Sequence, residues 1–323
     1  MKIPFTPAIY EHAARLIGRS PWEVSRDADL MFQGHLAAYQ LYRHQTVAVG
    51  IDIYNLEAEA YGARIEPAEG NAIPAIHEPF FQSVEDALDM APFNPKKDGR
   101  ISMVIEAGRR LKSALPQADV RIPVAGPFSI GVNLRGITGL CEEVGLQPEL
   151  VGRWLMRLAE NQAVFCQAVV EAGLDVAFFE SAAAPPLLSP RQFREVELPA
   201  LKRALAIAEG CVHHPVPCIM GGDVFRIYDE LMSTGTSFVV CNVETNQTAF
   251  VARARDEHPR VRIRVNMDPV IVACSDRDRI CREVDRIVTV IGSHPNCLIG
   301  TGALPFETPP ENVRLIREHL ETP

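Results

Sequence analysis

At 323 residues with 47% apolar side chains, and with no Ser/Gly-rich linker or charge block to divide it, the chain is sized for one large domain with its own core. Its formal charge of −9 leaves no dense basic surface for a nucleic-acid backbone, and no apolar run approaches the length that spans a bilayer. No cleavable apolar core follows Lys2, so a cytoplasmic protein that binds neither nucleic acid nor membrane is expected.

In chain order, residues 1–45 read as an N-terminal helical segment, and the apolar run 46–52 reads as a buried strand that stops on Asp52. Six further runs share that grammar, at 120–126, 174–180, 216–221, 237–242, 261–266 and 297–300. Apolar residues recur three or four apart over 150–172, 191–208, 224–233, 248–258, 277–290 and 310–319, the spacing of helices packed on a core. Such alternation builds a parallel sheet. Pro310 suits a first helical turn, which predicts a helix covering the closing strand. Seven strands are counted, and an eighth is sought in the less regular stretch 63–66. The expected architecture is α/β: a distorted (β/α)8 TIM-type barrel with an N-terminal helical extension, one domain over 1–323, with an open doubly wound sheet as the alternative.

A parallel barrel carries its chemistry at the C-terminal ends of its strands, so residues that close or follow a strand are the candidates. Asp52 leads them; its bland reading is a cap on the following turn. Glu180 and Ser181 end another run, where they either function or merely begin a loop, and Glu244 follows strand-end Asn242 as a second carboxylate or a solvated loop residue. Tyr54, Asn55 and Asn133 offer hydrogen bonds to a substrate, or pack. Asp223 reads as a helix N-cap, Asn266 as structural and Asp268-Pro269 as a turn, while His213-His214 precede their strand and fall on the stability face. Arg264, inside a strand, reads either as an anion clamp reaching into the barrel or, with Arg262, as part of a solvated edge. None of the eight cysteines forms a CxxC pair; Cys166, Cys211, Cys274, Cys281 and Cys297 read as small buried hydrophobes, with Cys218 and Cys241 in predicted strands.

Several strings then recur in a meaningful order: Gly50-Ile51-Asp52-Ile53 with the turn through Gly62, Gly126-Pro127-Phe128-Ser129-Ile130, Phe179-Glu180-Ser181, Ser189-Pro190 and Leu198-Pro199. Asn266-Met267-Asp268-Pro269, Gly300-Thr301-Gly302-Ala303-Leu304-Pro305 and Thr308-Pro309-Pro310-Glu311-Asn312 follow. From about Pro4 to the C-terminal helix the chain resembles the uroporphyrinogen decarboxylase superfamily, and its opening segment resembles the methyltransferase-like branch, relatives of the cobalamin-dependent methyltransferases. True decarboxylases of that family open with an Arg-Gln-Ala-Gly-Arg type segment that pairs with substrate carboxylates; this chain has no such arginine pair, carries Asn133 where they supply a tyrosine, and has Thr301 within their Gly-His-Gly. The branch's usual zinc ligands, His-x-Cys and a late Cys, fall on Ile219-Met220-Gly221 and Gly302-Ala303, so no metal site of that form is expected.

The resemblance implies an enzyme that moves a one-carbon (methyl) group between a small-molecule substrate and a corrinoid protein or tetrahydrofolate, and it is compatible with a homodimer. In that reading Asp52, Glu180 and Glu244 are the catalytic carboxylates, Asp52 as proton donor or as anchor for a polar ring, and Tyr54, Asn55, Asn133, Ser181, Asn242 and Thr301 bind the substrate. The alternatives are a cofactor-free decarboxylase (a lyase) acting on a tetrapyrrole or other carboxylic acid, and a non-catalytic carrier-binding protein that kept the fold.

Overall fold

Short strands separated by helices run the length of the computed structural model, which describes residues 3–273 and 276–321. The strands are β1 (Phe5–Ala8), β2 (Thr46–Ala48), β3 (Asp119–Ala125), β4 (Asp175–Phe179), β5 (Cys218–Ile219), β6 (Phe238–Cys241), β7 (Arg262–Met267) and β8 (Cys297–Ala303). Every ladder between them is parallel, in two four-stranded half-barrels ordered β1-β8-β7-β6 and β2-β3-β4-β5. The α/β barrel-type architecture is therefore as expected, with its ladders open between β1 and β2 and between β5 and β6. At the second seam the Thr236 hydroxyl substitutes for ladder bonds: it accepts from Cys218 N (2.9 Å) and donates to Val216 O (2.9 Å).

The eighth strand is not 63–66, where there is only an isolated antiparallel bridge between Glu66 and Ala75. It is Phe5–Ala8, which pairs with β8 through Phe5–Ile299 and Thr6–Gly300. Its four residues include Pro7, which argues against a strand when read locally, yet the proline lies where the ladder has an open edge and needs no N–H. The N-terminal segment is thus largely helical as expected but opens on a strand of the barrel. Helices Glu11–Leu16, Pro21–Ser25 and Ala28–Tyr42 are the crossover from β1 to β2.

Local chemistry explains the helix starts. Ser20 and Glu23 form a capping box ahead of Pro21, Asp27 caps Ala28–Tyr42, and Ser189 with Gln192 forms a second capping box. Asp223 caps the short turn Val224–Ile227 as expected, and the last helix is Pro310–Glu321. Two expected helices are broken. The stretch 150–172 divides at Gln162 into Pro148–Asn161 and Ala163–Glu171. The stretch 191–208 has a π-helical turn, Phe193–Glu197, before Leu198–Val212, because Pro199 has no N–H for the regular ladder and its ring crowds the carbonyl one turn back.

Strand parity decides what faces the barrel interior. Along β7, Ile263, Val265 and Met267 pack at zero exposure against the helix layer, so Arg264 and Asn266 point inward. Along β4, Val176 and Phe178 join the main core whereas Ala177 and Phe179 form a small interior cluster with Tyr10 and Ile53. No helix among the described residues is long and apolar enough to cross a membrane.

Candidate functional site

A cavity of about 480 Å³ opens at the C-terminal ends of the strands. Asp52, Tyr54, Asn55, Asn133, Ser181 and Asn242 all line it, together with Tyr10, Arg264 and Asn266. Its walls are otherwise apolar, from Ile51, Ile53, Ile73, Ile76, Met220 and Val240, the usual composition of a small-ligand site. A second cavity, about 260 Å³, lies toward the strand starts and shares Ala8, Tyr10, Ile219 and Arg264 with the first.

Asp52 stands in a tight turn after β2. Gly50 has φ +148°, and a Cβ there would lie 2.7 Å from Ile53 Cγ2, so the turn requires glycine. Burial holds His35 neutral, lowering its pKa to about 4, and its Nε2 accepts from Gly50 N (3.0 Å). The carboxylate of Asp52 is itself engaged: Arg100 Nη1 and Nη2 donate to its two oxygens at 2.7 Å each, and Nη1 also donates to Ser25 O (3.0 Å). Arg100 Nε binds Glu59, which also takes Arg26. Although burial opposes it, this pair of carboxylates raises the Arg100 pKa above its ordinary value. Asn55 Nδ2 donates to Pro74 O (2.6 Å) and lies 3.3 Å from Asp52 Oδ2, so the anionic end of the turn is held on several sides.

Neutral hydrogen-bonding groups make up much of the remaining wall. Tyr54 and Ser181 share a hydrogen bond between their hydroxyls, and Asn133 Nδ2 donates to Tyr54 O. Burial pushes the Tyr54 phenol up to about 12 and the Tyr10 phenol higher still, so both are neutral donors near neutral pH. A polar chain crosses the opposite wall: Arg264 Nε donates to Asn266 Oδ1 (3.0 Å), Asn266 Nδ2 to Asn242 Oδ1 (3.1 Å), and Asn242 Nδ2 to Met220 O (2.8 Å). Asn266 is thus structural and also part of the wall.

Three of the expected site residues do not line the cavity. Glu180 follows Phe179 by one position and so points to the helix layer, where it accepts from Phe128 N (3.1 Å), Ser129 N (2.9 Å) and Ser129 Oγ (2.5 Å) at the start of helix Pro127–Arg135. A Cβ on Gly126 would lie 2.0 Å from Glu180 Oε2, so glycine makes this seat. Across from it sits Glu197 of the π turn, fully buried and without another hydrogen-bond partner. Burial raises Glu180 to about 7 and Glu197 well above its ordinary value, Glu197 being raised further by Glu180's charge. Thr301 also faces outward, its Oγ1 accepting from Ala8 N (3.0 Å) to fasten β1 to β8. Glu244 is exposed on the loop after β6.

Sequence reasoning gave no place to Arg100, Glu197 or Tyr10, nor to Glu57, a buried carboxyl raised to about 7 by burial that accepts from Ala125 N (2.7 Å) and Gln162 Nε2 (3.1 Å). Asp52 and Arg100 are separated by an irregular stretch that carries no period, so nothing local announces the pair. Parity counted from Phe179 was the available signal for Glu180. Cys166 and Cys297 are buried as expected, Cys211 and Cys281 only half-buried, and Cys274 lies outside the described residues. At the positions of the family's zinc ligands, Ile219, Gly221, Gly302 and Ala303 line the cavity without a thiolate or imidazole. Cys218 and Cys241 are buried away from it, their thiols raised by burial. Among the described residues no three His, Cys, Asp or Glu gather as metal ligands, so the residues present do not fit a thiolate–imidazole zinc site.

No curated protein sequence matches the chain. Among solved structures, a methyltransferase from Methanosarcina mazei is similar with a TM-score of 0.85 at 20% identity, over 99% of this chain and 94% of that one. A B12-independent methionine synthase from a Shewanella species (TM-score 0.54, 12% identity, 91% of this chain and 86% of that one) and a putative one from Listeria monocytogenes (0.54, 10%, 99% and 96%) share the fold more loosely. The uroporphyrinogen decarboxylase (URO-D) family model matches residues 2–322, essentially the whole length over which these strands, helices and cavity are built, and the chain belongs to that family.

Proposed function

We propose that this protein is a methyl-transfer enzyme, moving a one-carbon group between a small substrate in the upper cavity and a carrier, a corrinoid protein or a folate, presented at its mouth. The observation that carries the reading is the charge of the cavity. Arg264 is the one cation among its lining residues, and Arg100, behind the wall, is already neutralised by Asp52 and Glu59. A tetrapyrrole octa-acid calls for several guanidinium or ammonium partners, whereas a small substrate with an apolar body suits these walls. The likeness in fold to the M. mazei methyltransferase favours the same reading.

In this reading the neutral Tyr54 hydroxyl, oriented by Ser181 and by the Asn133 bond to its own carbonyl, donates to the substrate heteroatom that loses or gains the methyl group. A fixed donor aimed at developing negative charge in a water-poor pocket lowers the barrier most where that charge is largest. Asp52 is bound at both oxygens by Arg100 and thereby shapes the turn that presents Tyr54 and Asn55.

The test is direct. Purified protein is incubated with methylcobalamin or methyltetrahydrofolate and candidate acceptors, carrier demethylation is followed by absorbance, and a parallel reaction offers uroporphyrinogen. Carrier demethylation without coproporphyrinogen is expected; formation of coproporphyrinogen at enzymatic rates would overturn the reading in favour of decarboxylation, and carrier binding without turnover in favour of a carrier-binding protein.

A further inference from the structure

The chain buries two arginines at the barrel in opposite ways. Arg100 meets two carboxylates. Arg264, only 9% exposed, makes no ion pair with any described residue, and Nε is the one nitrogen of its guanidinium with a described hydrogen-bond partner. An uncompensated guanidinium in an apolar enclosure is costly to the fold, and burial accordingly depresses its pKa. Its position is nonetheless built. The Asn266–Asn242–Met220 chain fixes its orientation, and a Cβ on Gly300 would lie 2.4 Å from Arg264 Cδ and 2.8 Å from Asn266 Oδ1. Gly300 pairs with Asn266, two residues further along β7, so the arginine stem leans over a glycine toward the C-terminal mouth.

We propose that Arg264 is the counter-ion for a small monocarboxylate with an apolar or aromatic body, bound in the upper cavity with its carboxylate on the two free guanidinium nitrogens. This rests on the reading of that cavity as the substrate site and names the substrate class. The geometry of a guanidinium end matches the two oxygens of a carboxylate. One cation balances one negative charge, so a phosphate dianion is left under-compensated. Ile51, Ile53, Ile76 and Val240 surround the remainder of the molecule with hydrocarbon, and the neutral phenols of Tyr10 and Tyr54 add donors without adding charge.

Calorimetric titration of the full-length wild-type protein with acetate, isobutyrate and benzoate, each against its neutral amide and against inorganic phosphate at matched ionic strength, decides it. At least one carboxylate is expected to bind one per chain, at least tenfold tighter than its amide and than phosphate. Arg264→Met is expected to lose that tenfold preference while its unliganded Tm rises, because an unpaired buried charge has been removed. Equal affinity for acid and amide, no binding by any of the acids, or phosphate binding as tight as the best acid would overturn the proposal on wild-type protein alone. Carboxylate binding that Arg264→Met retains would overturn it as well. Carboxylate binding in a protein that transfers no methyl group leaves this inference standing and removes the methyl-transfer reading, and methyl transfer from an uncharged substrate does the reverse.

Discussion

Arg100 gives both terminal nitrogens to Asp52, and that ion pair changes what a substitution there does. Read as a lone acid after a strand, Asp52 tolerates asparagine, which has the same shape. Read as half of a buried pair, Asp52→Asn leaves a guanidinium with Glu59 alone, and removing one partner of such a pair costs roughly 3 kcal/mol or more. A fall of several degrees in Tm is expected, and Asp52→Leu combined with Arg100→Met recovers most of it because the orphaned charge leaves too. An unshifted urea midpoint for Asp52→Asn would show that the pair contributes nothing to stability and that the carboxylate is free for chemistry.

At the scale of elements, the start of helix Pro127–Arg135, the end of β4 and the π turn Phe193–Glu197 meet at two carboxyls. Their folded pKa values lie above the unfolded value near 4.5, Glu180 at about 7. The folded state therefore holds protons that the unfolded state has released, and the pair's contribution to stability, full below about pH 4.5, is lost as pH rises through 7. His12, His35 and His44 act in the opposite sense: burial lowers them to about 4, 4 and 3, so their contribution is lost as pH falls below about 6.5. The difference between wild type and Glu197→Gln isolates the carboxyl pair. The glutamine amide donates to Glu180 without a second charge, so the variant should match wild type near pH 5 and exceed it at pH 8 by on the order of 1 kcal/mol, about 2 °C in a chain of this size. Thermal melts across that range check it, and parallel curves for the two proteins would mean that the carboxyls do not interact.

Across the whole molecule, one half-barrel depends on a short first strand held to the last one. Thr301 Oγ1 accepts the Ala8 N–H at that junction and faces away from the cavity. Thr301→Val keeps the volume and removes the acceptor, so a buried N–H goes unpaired at a cost of about 1–3 kcal/mol. Lower stability in urea with unchanged ligand affinity is expected; the converse result, intact stability with lost affinity, would return Thr301 to the substrate-binding set.

The sequence alone determined the grammar of the fold. The apolar runs at 120–126, 174–180 and 261–266 became β3, β4 and β7 within a residue or so at each end, and Asp223, Asp268 and Pro310 took the cap, turn and helix-start roles that their own side chains dictate. Those features depend on neighbours a few residues away, so local pattern suffices. The placement of Asp52, Tyr54, Asn55, Ser181 and Asn242 around one cavity followed from the same rule that strand ends share a mouth, whereas Asn133, inside helix Pro127–Arg135, was reached through the family resemblance. Only the tertiary structure showed that Phe5–Ala8 is the eighth strand, since four residues containing a proline become a strand only when β8 offers an edge. It alone gave Asp52 to Arg100, set Glu180 against Glu197, and left Arg264 buried without an anion. Each of these depends on which distant side chain arrives on the same face, and a one-residue change of parity reverses that face while leaving the hydrophobic pattern of the chain almost unchanged.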